Sequence, residues 1–470
     1  MKKLTKIVAT ISDRRCEPDF IRDLYIRGMN VARLNTAHQS FDDTLQVVKN
    51  IRSVSEQIAI LLDTKGPEVR TSKMDNEIVV KTGDLIKFKG DPEGVSQQDT
   101  IYVNYSGFVQ DVPTDCSILV DDGDIQFDVI EKKDDYLLCI AKNGGSVKGK
   151  KSVNVPCVHF NLPSLSARDL EYIDFAVENN LDFIAHSFVR NKEDVQDIQK
   201  MLDEKGSKIG IIAKIENQSG VDNIDEILEV AYGVMVARGD LGIEIPSERI
   251  PRIGQILITK CIAAKKPVII ATQMLHTMIK NPRPTRAEVT DIAFSVHRAT
   301  DAIMLSGETA YGAYPFEAVE TMTRVAMEVE SYREQKVPKL KDIDVPVFIA
   351  KSAFRATLKL PIKAIICDTL TGRTARYLSA FRPRVPIFAL CYNIHVMRQL
   401  SLSYGVNSSF LPQHLTTEQL AKYAAQLLLD KYGFDPQDQI VLLGGNILPT
   451  WGTSFMNISS IDKLMQFKVD

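Results

Sequence analysis

The chain has 470 residues, 57 of them basic and 60 acidic for a formal charge of −3, with 44% hydrophobic and 25% charged side chains. This balance excludes a disordered or fibrous chain, and it argues against generic nucleic-acid binding, which needs a basic excess against the phosphate backbone. The length predicts about three domains. No apolar run approaches a membrane span, and Ile7–Ile11 in the basic start is too short for a signal-peptide core. Seven scattered cysteines without a CxxC pair point to a reducing cytoplasm rather than a disulfide framework.

Eight short β-branched runs alternate with amphipathic helical stretches: Lys6–Ile11, Met29–Leu34, Ile58–Asp63, Leu181–Phe188, Lys208–Ile215, Tyr232–Ala237, Pro267–Thr272 and Asp301–Leu305. Helix starts at Ser166 with Asp169 and at Thr285 with Glu288 fit capping boxes. Continuous apolar strands alternating with helices predict an α/β fold with a parallel sheet, and eight such units close a (β/α)8 TIM barrel. An open doubly wound sheet is the rival. The barrel is favoured because the runs end in polar residues, among them Arg33, Asn35, Asp63, Ser187, Lys214, Glu216, Arg238, Asp240, Thr272, Ser306 and Glu308, which a barrel gathers at one mouth.

Residues 68–157 break the rhythm with short alternating strands (Glu77–Lys81, Leu85–Lys89, Thr100–Val103, Ser117–Val120, Gln126–Glu131, Tyr136–Ala141). They predict a small β-rich domain inserted into a barrel loop as a lid, with residues 1–67 and 158–334 forming the barrel. Lys65-Gly66-Pro67 reads as its hinge. After a last barrel helix at Glu320–Tyr332 comes a charged linker, Gln335–Asp344. Residues 345–470 predict a C-terminal α/β domain, with strands at Lys363–Cys367, Pro386–Cys391, Gln439–Leu443 and Phe455–Ile461 and helices near Phe348–Leu358, Thr374–Phe381, Ile394–Ser403 and Thr417–Tyr432.

The strongest chemical constellation is Lys214-Ile-Glu216-Asn217 followed one strand later by Arg238-Gly239-Asp240. Strand alternation turns Lys214 and Glu216 to one face, and the next strand brings Asp240 to the same end, so the two carboxylates suit Mg²⁺. The competing reading is an internal ion-pair network. Arg33, Lys65, Arg70, Lys151, Arg190, Lys214 and Arg238 map to the mouth or the lid edge, a cation surplus that calls for an anionic, phosphoryl-bearing ligand. Hydroxyls at Thr272 and Ser306 close two further strands. In the C-terminal domain Thr369-Leu-Thr371-Gly372-Arg373-Thr374 lies between strand and helix and is either a phosphate cradle or a capped turn.

These residues carry a family likeness. Met29–Asn35, Leu62–Arg70, Lys214–Asn217, Val234–Glu244, Ala271–Met274, Pro282–Glu288 and Met304–Ala310 together resemble pyruvate kinase along essentially the whole chain. The resemblance implies a barrel, an inserted small β-barrel lid and a C-terminal regulatory domain in a cytoplasmic homotetramer. It implies a glycolytic enzyme that moves the phosphoryl group of phosphoenolpyruvate to ADP, giving pyruvate and ATP, with Mg²⁺ (or Mn²⁺) and K⁺.

Carried over by motif, Glu216 and Asp240 fall on the Mg²⁺ ligands, and Asn35, Asp63 and Thr64 on the K⁺ ligands. Lys214 falls on the phosphoryl-contacting lysine, Thr272 on the residue near the protonated carbon, and Ser306 on its support. Gly239, Asp240, Thr272 and Arg33 match substrate contacts; Arg33, Asn35, His38, Arg70 and Lys151 match nucleotide contacts. Thr369, Thr371, Gly372, Arg373 and Thr374 resemble the cradle of a sugar-phosphate or nucleotide effector, with Leu370 replacing a lysine. Ala37 stands where the family has a serine that completes the K⁺ shell, so an altered K⁺ site is expected, although Glu68 matches the K⁺-dependent variant. Ser12-Asp-Arg-Arg15 also departs from the family pattern. Two other classes remain open at this point: a Schiff-base lyase acting through Lys214, and a non-catalytic metabolite sensor.

Overall fold

A computed structural model describes residues 3–37, 39–156, 158, 160–413, 415–445 and 452–466. Eight parallel strands close a barrel in sequence order: Lys6–Thr10, Val31–Asn35, Ala59–Asp63, Phe183–His186, Gly210–Ile215, Gly233–Ala237, Val268–Ala271 and Ala302–Leu305, the last pairing with the first. Each expected run is a strand. All are buried on both faces, which is why they read as continuous apolar segments. Val8, Leu61, Phe183, Ile212, Met235, Ile269 and Met304 fill the interior, while alternate residues such as Ile7, Ile60, Ile184 and Ile211 pack outward against helices. Both capping boxes form, Ser166 with Asp169 and Thr285 with Glu288.

Between the third and fourth barrel strands, a six-stranded sheet (Leu85–Gly90, Thr100–Val103, Ser117–Val120, Ile125–Lys132, Leu137–Ala141, Val153–Asn154) and a two-stranded pair (Ile78–Val80, Gly145–Val147) enclose their own core around Phe88, Phe108 and Phe127. The chain enters this unit through Gly66, at φ +71°, where a Cβ would lie 2.8 Å from the Ser187 Cβ. Only glycine fits that connection without strain.

The C-terminal sheet orders its strands as Val406–Phe410, Ile387–Cys391, Ile362–Thr369, Gln439–Gly445 and Thr453–Ser460, the last antiparallel. Val406–Phe410 carries Asn407, Ser408 and Ser409 and so lacks the apolar signature of a strand; it is held as a parallel edge by Ile387–Cys391. The unit docks on the barrel floor. Leu402 packs into the barrel's interior cluster, and the Arg382 guanidinium grips the Asp301 carboxylate with contacts of 3.0 and 2.5 Å.

Candidate active site at the barrel mouth

Along Gly210–Ile215 the odd residues Ile211, Ala213 and Ile215 pack outward and Ile212 inward, so Lys214 points into the mouth. Its Nζ lies 2.7 Å from the Ser187 Oγ, 3.0 Å from Asp63 Oδ1 and 3.1 Å from Glu216 Oε1. Asp63 Oδ2 accepts from Arg33 Nε at 2.6 Å, and the same guanidinium donates to Thr10 Oγ1 at 3.0 Å. The second Glu216 oxygen accepts the Phe188 amide at 2.8 Å. The cation–carboxylate network considered as an alternative is therefore present. It lines an open cavity of ≈ 200 Å³ together with Asn35, Thr64, Arg70 and Asp240.

The network sets its own charge states. Burial alone would lower the Lys214 pKa, but the Asp63, Glu216 and Asp240 carboxylates outweigh it and hold the ammonium firmly charged. Burial works against Asp63 as an anion too, and Arg33 and Lys214 overcome it, keeping its pKa below the usual value. Glu216 is raised to about 7, by burial first and by the Asp240 charge, with Lys214 opposing.

A second cluster joins neighbouring strand ends. Thr272 Oγ1 accepts the Gly239 amide at 2.7 Å and donates to the Ala271 carbonyl at 2.7 Å. Thr272 and Gln273 adopt φ +69° and +56°, a left-handed conformation that is costly for a β-branched residue. The Arg238 guanidinium, anchored by Asp291 at 2.6 Å, donates to the Thr272 carbonyl at 2.8 Å and holds the turn. The Ser306 and Leu275 amides both donate to the buried Glu308 carboxylate, at 2.7 and 3.1 Å, which ties the last two strand ends together.

The remaining expected site residues are dispersed. Thr272, Gly239 and Ser306 do not line the Lys214 cavity. Lys151 lies in the inserted β unit, 2.8 Å from Asp121, and Arg70 is held 2.6 Å from Glu68. His38 lies outside the described residues. In the C-terminal domain Thr369 ends a strand, Thr371 and Gly372 (φ +77°) form the turn, Arg373 reaches Asp344 and the Tyr377 hydroxyl, and Thr374 Oγ1 meets Thr453 Oγ1 at 2.6 Å. Sequence reasoning placed Ser187 at the mouth but gave it no role. The available signal was its parity with the inward Phe183 and Ala185.

Residues 2–319 match the family model for the pyruvate kinase barrel domain. The chain belongs to the pyruvate kinase family. Residues 348–459 match the model for the pyruvate kinase alpha/beta domain. A pyruvate kinase of Borreliella burgdorferi is 47% identical, covering 98% of each chain. One of Bacillus licheniformis is 43% identical over 97% of this chain and 80% of its own. The crystal structure of a pyruvate kinase from Cryptosporidium parvum superposes with a TM-score of 0.93 at 36% identity, over 98% of this chain and 96% of the other.

The chain is thus a phosphotransferase acting between phosphoenolpyruvate and ADP, with pyruvate and ATP as products. The lyase and sensor alternatives are disfavoured, and a Lys214 held charged by three carboxylates is a poor carbonyl nucleophile. Among the described residues, no helix is long and apolar enough to cross a membrane.

Proposed function

We propose that phosphoryl transfer is carried by Lys214, Arg33, Glu216 and Asp240, with Thr272 and Ser306 serving the proton step at carbon. The observation that supports this most is the Lys214 ammonium, fixed by Ser187, Asp63 and Glu216 at the mouth. A phosphoryl group in flight and the enolate it leaves both carry negative charge, and a pre-oriented cation stabilises them without reorganising. Arg33, braced by Asp63 and Thr10, offers its remaining donors to nucleotide phosphates. Thr272 is no strong acid, so its role is to orient a proton donor, with Gly239 fixing its hydroxyl and Ser306 supporting the relay.

Glu216 and Asp240 are a fitting donor pair for Mg²⁺ or Mn²⁺: hard carboxylates on adjacent strand ends beside a cavity. Among the described residues, no group of three or more His, Cys, Asp or Glu side chains is arranged to hold a metal. Mg²⁺ needs only one or two carboxylates and leaves its other positions to water and substrate oxygens. When bound, it supplies positive charge against the phosphoryl oxygens. Asn35, Asp63 and Thr64 are the proposed K⁺ ligands. Thr36 does not replace the missing hydroxyl at Ala37, because it is buried outside the cavity that Asn35, Ala37, Asp63 and Thr64 line, so the K⁺ site is weakened. Full activity in rigorously K⁺-free buffer would overturn that reading.

Asn35, His38, Arg70 and Lys151 complete the proposed nucleotide contacts. Arg70 and Lys151 must then exchange Glu68 and Asp121 for phosphate as the lid closes. The proposed organisation is a catalytic barrel (1–67 and 158–334), a lid (68–157) and a regulatory domain (345–470) in a cytoplasmic homotetramer. Its Thr369–Thr374 turn would take a sugar-phosphate or nucleotide effector through Thr369, Thr371, Gly372, Arg373 and Thr374. The deciding experiment is pyruvate formation from phosphoenolpyruvate and ADP with and without Mg²⁺ and K⁺. Lys214→Met must cut turnover by orders of magnitude while substrate binding stays measurable; an unaffected turnover number removes Lys214 from this role.

A further inference from the structure

At the barrel floor, the end opposite the catalytic mouth, a cleft of ≈ 520 Å³ opens between the barrel and the C-terminal domain. Lys265 and Lys266 contribute from the loop entering the seventh strand, Tyr232 from the loop entering the sixth, and Arg373, Arg376 and Tyr377 from the helix Arg373–Ala380. Four cations therefore face two acids, Asp342 and Asp344. Asp344 is already committed, since one oxygen caps the Val347 amide at 2.9 Å and the other pairs with Arg373.

The other three cations have no carboxylate partner among the described residues. Lys265 Nζ donates to the Lys341 and Asp342 carbonyls, at 2.5 and 3.3 Å, and Lys266 Nζ to the Ala231 carbonyl at 2.6 Å. Arg376 donates to the Tyr232 hydroxyl at 3.3 Å and the Thr371 carbonyl at 3.4 Å. Nearby cations at the same domain junction behave differently: Lys260 and Lys341 share Asp225, and Arg382 grips Asp301. Burial, reinforced by the Arg376 charge, pulls the Lys266 pKa down to about 8. Partly buried cations gathered without counter-charge are unfavourable, and an anion relieves them.

The cations are also held in place. Arg376 lies 5.1 Å over the Tyr232 ring, while Arg373 and Lys265 lie 5.2 and 5.4 Å over Tyr377. The volume exceeds that of a lone phosphate and falls within the usual range for metabolite pockets. We propose that this cleft binds a small phosphorylated metabolite, with its phosphate held by Lys266 and Arg376 and its body lying between Tyr232 and Tyr377. The site is separate from the catalytic mouth, and it shares only Arg373 with the Thr369–Thr374 turn.

The test uses the full-length protein with two probes. Tungstate located by its anomalous scattering should sit within hydrogen-bonding distance of Lys266 and Arg376. Titration with glycerol 3-phosphate should show binding that Lys266→Met and Arg376→Gln each weaken at least about tenfold, and that Lys260→Met, at the same junction but at a lysine already paired with Asp225, leaves unchanged. Lys266→Met should also raise the melting temperature of the ligand-free protein, because it removes an unpaired buried charge; this reports that the variant is folded. Tungstate found only at the catalytic mouth or the Thr369–Thr374 turn, or affinities unaltered in both cleft variants, would overturn the proposal.

Discussion

The ammonium of Lys214 donates to the Ser187 hydroxyl at 2.7 Å, and that hydroxyl donates onward to the Thr64 carbonyl at 2.7 Å. Ser187 thus points the lysine without carrying charge itself. Ser187→Ala should lower kcat by about tenfold with little change in the KM for phosphoenolpyruvate, whereas Lys214→Met removes the charge and should cost about a thousandfold or more. Steady-state kinetics on both variants decides this. Equal losses would mean that Ser187 does more than orient its neighbour.

Thr272 holds a positive φ of +69° while its hydroxyl is fixed between the Gly239 amide and the Ala271 carbonyl. Thr272→Ser keeps the hydroxyl and eases the β-branched strain, so it should retain turnover within several-fold. Thr272→Ala leaves the Gly239 amide without its acceptor and should slow proton delivery at carbon. Solvent deuterium exchange into the pyruvate methyl group separates this step from phosphoryl transfer, and it should fall by about a hundredfold in Thr272→Ala. Undiminished exchange would take the proton step away from Thr272.

The barrel was legible because its strands are apolar on both sides, a pattern no half-exposed strand produces, and because polar residues punctuate each strand end. The strand Val406–Phe410 was not, since Asn407, Ser408 and Ser409 give it no hydrophobic signal and only its neighbour Ile387–Cys391 makes it a strand. Residue types at the mouth could be read from motifs, but their partners could not. That Asp121 holds Lys151 and Asp344 holds Arg373 depends on side-chain approach between segments about thirty residues apart. The same limit hid the cleft around Lys266, whose cations come from two separate stretches of chain.

The Arg382–Asp301 pair joins the two larger units at a buried point. Both side chains are under 10% exposed, and Asp301 also accepts the Tyr404 amide at 3.0 Å and the Val268 amide at 3.1 Å. Removing one partner strands a buried charge, so Arg382→Met should destabilise the protein by about 3–5 kcal/mol. The double variant Arg382→Met with Asp301→Asn should recover part of that loss. Denaturant titrations of the single and double variants measure the coupling, and simple additivity would show that the pair contributes no interaction of its own.

Lys6 gives the domain junction a pH dependence of definite sign. Its side chain is buried, donates to the Val406 carbonyl across the junction at 2.5 Å, and has its pKa lowered to about 8 by burial, with Glu330 and Asp301 opposing and Lys3 close by. The folded state therefore binds fewer protons than the unfolded chain between about pH 8 and the ordinary lysine value of 10.5. Below that window the charged lysine costs about 3 kcal/mol at most, and stability returns as pH rises through it. Lys6→Met lacks this titration, so its stability advantage over the parent protein should shrink steadily from pH 8 to 10.5. Paired denaturation curves across that range test the point, and a difference independent of pH would show that Lys6 keeps an ordinary pKa in the fold.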